Sequence, residues 1–128
     1  MSELAPQKTK KGFPKSRRLL RHSDFEKVYK QGRRHFGAHL TVFYLRREGG
    51  LLGYRVGFTV GRVLGDAVQR NRMKRRLREA VRLGGIQANV AADVVINPKR
   101  SLLTVDFGEL QSEIAKAFGV IQKSLSSK

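Results

Sequence analysis

The chain has 128 residues, of which 27 are Lys or Arg and 10 are Asp or Glu, so its formal net charge is +17. This length fits one compact domain and excludes two substantial ones, and a hydrophobic content of 40% argues against a purely disordered basic tail. The absence of cysteine excludes disulfides and thiolate metal sites. No apolar run approaches the roughly 18 residues of a membrane span, and the N-terminal residues lack the apolar stretch of a signal peptide, so the expected location is the cytoplasm.

Residues 1–15 are polar and basic, and Pro6, Gly12 and Pro14 interrupt any regular element there. We therefore expect a flexible basic arm, followed by a single folded domain over residues 16–128. Two roles are equally compatible with the composition of the arm. It either keeps the chain soluble, or lies along phosphates and becomes ordered on binding.

The first predicted helix begins at Ser23-Asp24-Phe25-Glu26, which has the spacing of a capping box. The helix continues to about Gln31, and Gly32 ends it. Phe25 and Tyr29 are four residues apart and therefore share one face of this helix.

Two stretches after this helix are predicted to be strands. The stretch Leu40–Leu45 is rich in β-branched and aromatic residues. From about Tyr54 to Val60, apolar residues alternate with Arg55, Gly57 and Thr59, which predicts one buried and one open face. A glycine inside a strand often marks close approach by another backbone or by a ligand.

A basic helix is predicted from Ala67 to Leu83, with Asp66 as its N-cap and Gly84-Gly85 as its end. Its apolar stripe is about 100° wide and consists of Met73, Leu77, Ala80 and Val81. The remaining circumference carries seven basic residues, which are Arg70, Arg72, Lys74, Arg75, Arg76, Arg78 and Arg82.

This charge density indicates a nucleic-acid partner. Like charges lower stability unless an anion lies against them, and a solvated helix face normally mixes signs to form pairs. Here Glu79 is the only acidic residue among the seven basic residues. The pI of about 11.3 exceeds the value of roughly 9 that marks a nucleic-acid-binding domain. Asn71 fits poorly in a helix interior, but it offers a donor and an acceptor to a base edge or a 2′-hydroxyl.

A short strand over Asp93–Pro98 and a final helix over Phe107–Leu125 complete the predicted order: helix, two or more strands, helix, strand, helix. Asp106 and Glu109 are placed to cap the final helix. Its clean apolar periodicity indicates core packing, so we assign it no direct chemistry.

Three aromatic side chains have two interpretations. Phe25, Tyr29 and Tyr44 either belong to the core, which is the commoner fate of aromatics at this spacing, or form a stacking platform for a single strand. The core interpretation is favoured for Phe25. The two tyrosines are better candidates for a platform, because a phenol is stable when half-buried.

His35 and His39 are four residues apart and could share a metal in a helix, but flanking arginines oppose a cation. We interpret both histidines as RNA-facing or surface residues. There is no nucleophile–base pair, P-loop or dinucleotide motif, so we expect neither catalytic nor metal-ligating residues in this protein.

The stretch Gly65–Ala80 has Arg70-Asn71-Arg72 at its centre, and further motifs accompany it: Asp24-Phe25, Val28-Tyr29, Val42–Tyr44, Arg55–Phe58 and Asp93–Ile96. On these motifs, about residues 17–125 resemble the bacterial ribonuclease P protein subunit, the small basic partner of a catalytic RNA. The stretch Gly65–Ala80 is similar to the signature RNR helix of that family.

The resemblance implies an α+β fold: a single-domain, ribosomal-protein-like α/β sandwich with a left-handed β-α-β crossover, against the usual right-handed preference. It also implies a function. The protein would bind the catalytic RNA and the 5′ leader of precursor tRNA, and would assist endonucleolytic removal of that leader. The RNA would perform the hydrolysis with Mg²⁺, held mainly by the RNA itself. One monomeric protein is expected per RNA.

The resemblance further assigns roles to individual residues. Contact with the catalytic RNA is expected from Arg62, Arg70, Asn71, Arg72, Lys74, Arg75 and Arg78. The leader is expected in a cleft between the first helix and the sheet, lined by Phe25, Tyr29, Tyr44 and Arg55. The family usually has a Ser-Lys-Lys triplet ahead of the basic helix, whereas this chain has Gly61-Arg62-Val63, in which only Arg62 is charged.

Two other classes of function remain open from the residues. A ribosomal-type structural protein would bury itself in folded RNA and would need no aromatic groove for a single strand. A protein-only nuclease would need clustered carboxylates for two metals, whereas the ten acids of this chain are scattered along the sequence.

Overall fold

The computed structural model describes Arg18 and residues 21–48, 52–84 and 90–126. The predicted arm over residues 1–15 and the helix-ending Gly85 therefore lie outside the described residues. The helices are α1 (His22–Gln31), α2 (Ala67–Gly84) and α3 (Phe107–Ser126), and the strands are β1 (Arg33–Phe36), β2 (Leu40–Arg46), β3 (Gly53–Phe58) and β4 (Ala91–Pro98). Short 3₁₀ turns at Arg62–Leu64 and Arg100–Leu103 precede α2 and α3.

The four strands form one sheet in the order β1-β2-β4-β3. β2 pairs antiparallel with both β1 and β4, whereas β3 and β4 lie side by side and parallel. A parallel pair needs a crossover connection, and α2 supplies it between β3 and β4. This confirms the mixed α+β order; the left hand of the crossover stays a prediction.

α2 and α3 cover one face of the sheet and form the main core with it. The strands contribute Leu40, Val42, Tyr44, Tyr54, Val56, Ala92, Val94 and Ile96. The predicted stripe of α2 is fully buried against them, and the periodic apolar residues of α3 are buried as well except Phe107, which is half-buried. The alternation predicted in β3 is confirmed, because Tyr54 and Val56 face this core while Arg55 does not.

α1 lies on the opposite face of the sheet, over β2 and β4. Its contact is small: Val28 and Val95 are buried together, and Phe25, Phe43 and Leu45 pack around them. Because α1 covers only part of this face, the outer ends of the strands stay open beside it.

The start of α1 differs from the capping-box prediction, which is wrong. Arg21 is the N-cap and makes no side-chain capping bond, so Ser23 is already inside the helix. The carbonyl of Arg21 accepts from the N–H groups of Asp24 and Phe25 at 3.1 and 3.3 Å, and the first turn therefore closes on the backbone alone.

Gly32 ends α1 as predicted, and its lack of a side chain is required by close approach. A Cβ at Gly32 would lie 2.5 Å from the carbonyl oxygens of both Tyr44 and Val28. The chain passes directly from this contact into β1.

β1 was not among the predicted strands. Its residues Arg33–Phe36 are largely exposed at the sheet edge, so they lack the apolar alternation that predicts a half-buried strand. Charged residues are a common feature of edge strands, because they prevent pairing with other chains.

The predicted cap of α2 is confirmed. The Asp66 carboxylate accepts from the Gln69 N–H at 2.8 Å, and the Gln69 side chain accepts from the Asp66 N–H at 3.0 Å. Two of the unpaired donors at the helix start are satisfied reciprocally in this way. Gly65, with φ of +145°, supplies the backbone conformation that joins the 3₁₀ turn to this cap.

Candidate RNA interface

The outward side of α2, together with the turn before it, carries the seven residues predicted to contact the catalytic RNA. We call this surface the basic face; it consists of Arg62, Arg70, Asn71, Arg72, Lys74, Arg75 and Arg78. Five of the seven are exposed, and the other two, Arg70 and Lys74, are half-buried. The burial of the apolar stripe of α2 fixes the orientation of this face toward solvent.

Arg70 is partly committed to the fold. Its Nε donates to the carbonyl of Gly65 at 3.1 Å, which ties the helix to the turn that precedes it. In the same region, Arg100 donates to the carbonyl of Val63 at 2.7 Å, while the Val63 side chain is 77% exposed. The Arg100 guanidinium therefore stabilises the turn at Arg62–Leu64 through a backbone carbonyl, although the Val63 side chain carries no charge.

Arg76 has a structural position within α2. Its guanidinium donates to the carbonyls of Leu102 and Leu103, each at 2.8 Å, and also to the carbonyl of Val105. It lies 6.0 Å from the ring centre of Phe107. Arg76 therefore joins α2 to the start of α3, and its charge does not belong to the basic face.

Tyr29 has the clearest binding geometry on the other side of the sheet. Its hydroxyl lies 2.8 Å from Thr59 Oγ1 and 2.9 Å from Asn97 Oδ1, so it can accept from the threonine and donate to the amide. Its ring meets Phe43 edge-on, with centres 4.9 Å apart and planes at 83°. Although held at both ends, Tyr29 keeps 38% of its surface exposed.

The predicted position of Tyr44 in this cleft is wrong. Tyr44 is only 4% exposed and packs in the main core under α2 and α3, on the far side of the sheet from α1. Side chains alternate along a strand, so the residue of β2 that faces α1 is Phe43. The Val42-Phe43-Tyr44 motif was noticed, but only the side on which α1 packs decides which of its aromatics is open.

Two more residues on the α1 side of the sheet were missed because β1 was not predicted. The guanidinium carbon of Arg34 lies 5.7 Å from the ring centre of Phe36 and 5.8 Å from that of Phe43. Phe36 itself is 66% exposed. We call the surface formed by Tyr29, Phe43, Arg34 and Phe36 the aromatic groove.

Phe25 has the position that the core interpretation favoured. It is half-buried and packs against the small cluster around Val28 and Val95. It therefore helps to hold α1 on the sheet, and its role in leader binding stays a prediction.

Arg55 was predicted to contact the leader, but its charge is already paired. Its Nε and one terminal nitrogen each donate to the Asp93 carboxylate at 2.9 Å, and Asp24 of α1 lies 3.7 Å away. The hydrogen bond to Asp93 raises the pKa of Arg55 above its usual value, while burial acts in the opposite direction. Arg47 donates to the same carboxylate at 2.9 Å.

His39 is half-buried and its ring contacts other residues of the protein. Its ring nitrogens lie 2.7 Å from Ser101 Oγ and 3.4 Å from Glu109 Oε2, and its side chain is 17% exposed. Its backbone N–H donates to Glu113 at 2.9 Å. His39 therefore holds the β1–β2 turn against α3, whereas His35 is half-buried in β1.

Within the described ranges, no group of three or more His, Cys, Asp or Glu side chains is placed to hold a metal ion. Across the same part of the chain, no helix combines the length and apolar character needed to cross a membrane.

A basic helix face on one side of a four-stranded sheet, and an aromatic groove on the other, define a small α+β RNA-binding protein. A family model described as Ribonuclease P matches residues 13–122. The chain is 38% identical over 115 residues to the ribonuclease P protein component of Geobacter sp. strain M21. The aligned region covers 90% of this chain and 97% of that protein. It is 47% identical over 85 residues to the corresponding protein of Oleidesulfovibrio alaskensis, over 66% of this chain and 68% of that one.

The solved RNase P protein from Thermotoga maritima has the same fold, with a TM-score of 0.68 and 28% identity over 79% of this chain and 96% of that one. The chain belongs to the ribonuclease P protein family. As a protein component of this endoribonuclease, it serves in the 5′ processing of transfer RNA together with the ribonuclease P RNA.

Proposed function

We propose that the two surfaces divide the work between two RNAs. The basic face of α2 grips the catalytic RNA through phosphates and sugars, and the aromatic groove beside α1 holds the single-stranded 5′ leader of precursor tRNA. The RNA carries out the hydrolysis with Mg²⁺ that it holds mainly itself. One protein monomer acts per RNA, in the cytoplasm.

The basic face supports the first half of this proposal. Closely spaced arginines on one helix suit the closely spaced phosphates of folded RNA. Glu79 is the one acidic residue among these arginines, and it is paired with Arg82. A terminal nitrogen of Arg82 lies 2.5 Å from the Glu79 carboxylate. The remaining positive charge of this helix is therefore not cancelled locally.

The half-exposed ring of Tyr29 is the single observation that carries the second half. A core tyrosine is normally buried, whereas this ring is fixed by Thr59, Asn97 and Phe43 and still presents 38% of its surface. A rigid, partly exposed aromatic beside cations is the arrangement that stacks single-stranded bases without sequence preference.

The test compares Tyr29→Ala with Tyr29→Phe in the reconstituted enzyme, at fixed salt, on precursors with a leader and on mature tRNA. Stacking contributes about 1–3 kcal/mol per base by alanine substitution. Tyr29→Ala should weaken precursor binding by that amount and leave mature tRNA unaffected. Tyr29→Phe loses only the two hydroxyl contacts and should keep most of the affinity.

A ribosomal-type structural role predicts a different result. In that case neither variant alters the difference in affinity between precursor and mature tRNA. Equal losses on both RNAs would also contradict leader binding, because they would place the effect in the catalytic RNA or in the fold.

A further inference from the structure

Phe36 is the most exposed aromatic side chain among the described residues, at 66%. It lies on β1, which forms one edge of the sheet. An exposed apolar side chain on an edge strand is a place where another molecule can bind. Phe36 does not stand alone there, because the Arg34 guanidinium lies over its ring.

Phe36 is the outer member of a continuous row. Tyr29 meets Phe43 at 4.9 Å, and the guanidinium of Arg34 lies within 6 Å of both Phe43 and Phe36. Guanidinium and aromatic planes both stack on nucleobases. The row therefore extends the surface of Tyr29 and Phe43 outward to the edge of the sheet.

The strand register places polar side chains on the sheet surface next to this row. Phe36 is opposite Thr41, and Thr41 is opposite Asn97, so the three side chains line one face across three strands. Asn97 in turn bonds Tyr29, which also contacts Thr59 beyond β3. Thr41, Asn97 and Thr59 thus form a polar line along this face, which runs from Phe36 on β1 to the hydroxyl of Tyr29.

Two cations beside Phe36 suit an anionic strand, and the nearby carboxylates of Glu113 and Glu109 are engaged with His39. Arg34 lies over its ring, and Lys99 is held near the same turn by donating to the carbonyl of Gly37 at 3.0 Å. Both are exposed. An extended nucleotide whose base lies on Phe36 would have these two cations available for its phosphates.

We propose that Phe36 and Arg34 form an outer nucleotide subsite, which stacks one base of the leader beyond the part held by Tyr29 and Phe43. The subsite makes affinity depend on whether a leader is long enough to reach β1. This inference rests on the proposed function, since it assumes that the leader occupies the aromatic groove.

A second copy of the chain is the other occupant that an edge strand can take. Two features disfavour it. Arg33 and Arg34 lie on the same short strand, and each copy carries a formal charge of +17. Pairing of two such edges would bring like charges into register, which is unfavourable.

The experiment measures precursor affinity in the reconstituted enzyme against leaders of increasing length and uniform sequence, under conditions that prevent cleavage. The variants are Phe36→Ala, Tyr29→Ala and Leu52→Ala. Leu52 is a matched control because it is similarly exposed, at 62%, and lies outside both surfaces. Thermal unfolding of each variant checks that the fold is intact.

Phe36→Ala should leave short leaders unaffected and should lower the affinity for long leaders by about tenfold. Tyr29→Ala should lower affinity at shorter lengths as well, and Leu52→Ala should change neither. A loss with Phe36→Ala that is equal at all lengths, or no loss, overturns the subsite. If the wild type itself gains nothing from a leader, the proposed function fails instead.

A direct readout comes from Phe36→Trp, because the chain contains no tryptophan. The indole should restore the affinity for long leaders, and its fluorescence should change only with leaders that reach β1. Fluorescence that never responds to long leaders contradicts stacking at this position. A concentration-dependent dimer of the wild type that Phe36→Ala abolishes would assign the ring to self-association.

Discussion

At the scale of single residues, Asp93 shows how charge is placed inside a basic protein. It is the one charged side chain that is buried among the described residues, at 6% exposure. Arg55 and Arg47 both donate to its carboxylate, and Arg55 also reaches Asp24 of α1. This cluster links α1, β3 and β4 at the covered end of the sheet, so it helps to set the position of α1 above the groove.

Replacing Asp93 by Asn should therefore destabilise the protein. Removal of one partner of a buried ion pair typically costs about 3–5 kcal/mol, and partial exposure of Arg55 reduces this to roughly 2–3 kcal/mol. Urea unfolding measures the change in the free energy of unfolding.

Asp24→Asn is the matched control for this prediction. Asp24 meets Arg55 at 3.7 Å rather than 2.9 Å and is more exposed. Its loss should be below about 1 kcal/mol. Equal effects of the two substitutions would show that Asp93 does not organise the cluster.

At the scale of elements, α2 has two kinds of arginine at neighbouring positions. Arg75 is exposed on the basic face, whereas Arg76 is half-buried and donates to three carbonyls ahead of α3. Helical geometry separates consecutive residues by about 100°, so two adjacent side chains serve different surfaces.

Arg76→Ala should lower the free energy of unfolding by about 2–3 kcal/mol, because it leaves three partly buried carbonyls without a charged donor. Its effect on the salt dependence of RNA binding should be negligible. Arg75→Ala should change stability by less than about 0.5 kcal/mol. It should instead reduce the slope of log K against log[salt] by roughly one phosphate contact.

The two variants thus test the division of roles on one helix. Urea unfolding and salt-dependent binding to the catalytic RNA would be measured on both. If Arg76→Ala reduced the slope and left stability intact, Arg76 would belong to the basic face and the contacts with the carbonyls would be unimportant.

At the scale of the whole molecule, the net charge of +17 has to be neutralised by phosphates of the RNA. If the basic face contacts about six to eight phosphates, log K for the catalytic RNA should fall with log[salt] at a slope of roughly −4 to −7. Equilibrium binding between low and moderate salt measures this slope. A slope near zero would mean that the charges of α2 do not contact phosphate.

The sequence by itself determined the features that depend on a single element. The capped basic helix, the buried periodicity of α3 and the strands β2, β3 and β4 follow from local spacing, and the structure confirms them. The basic face was predictable for the same reason, because helical periodicity places the apolar stripe of α2 inward and its charges outward.

Only the tertiary structure decided which side chains of the sheet are open. Alternation shows that Phe43 and Tyr44 point in opposite directions, but it does not show which face receives α1 and which receives the two larger helices. The partner of Arg55 lies 38 positions further along the chain, at Asp93. Packing between distant segments therefore placed Phe43 in the groove and Tyr44 in the core, and gave Arg55 a structural partner, because burial and charge pairing depend on neighbours that local sequence does not specify.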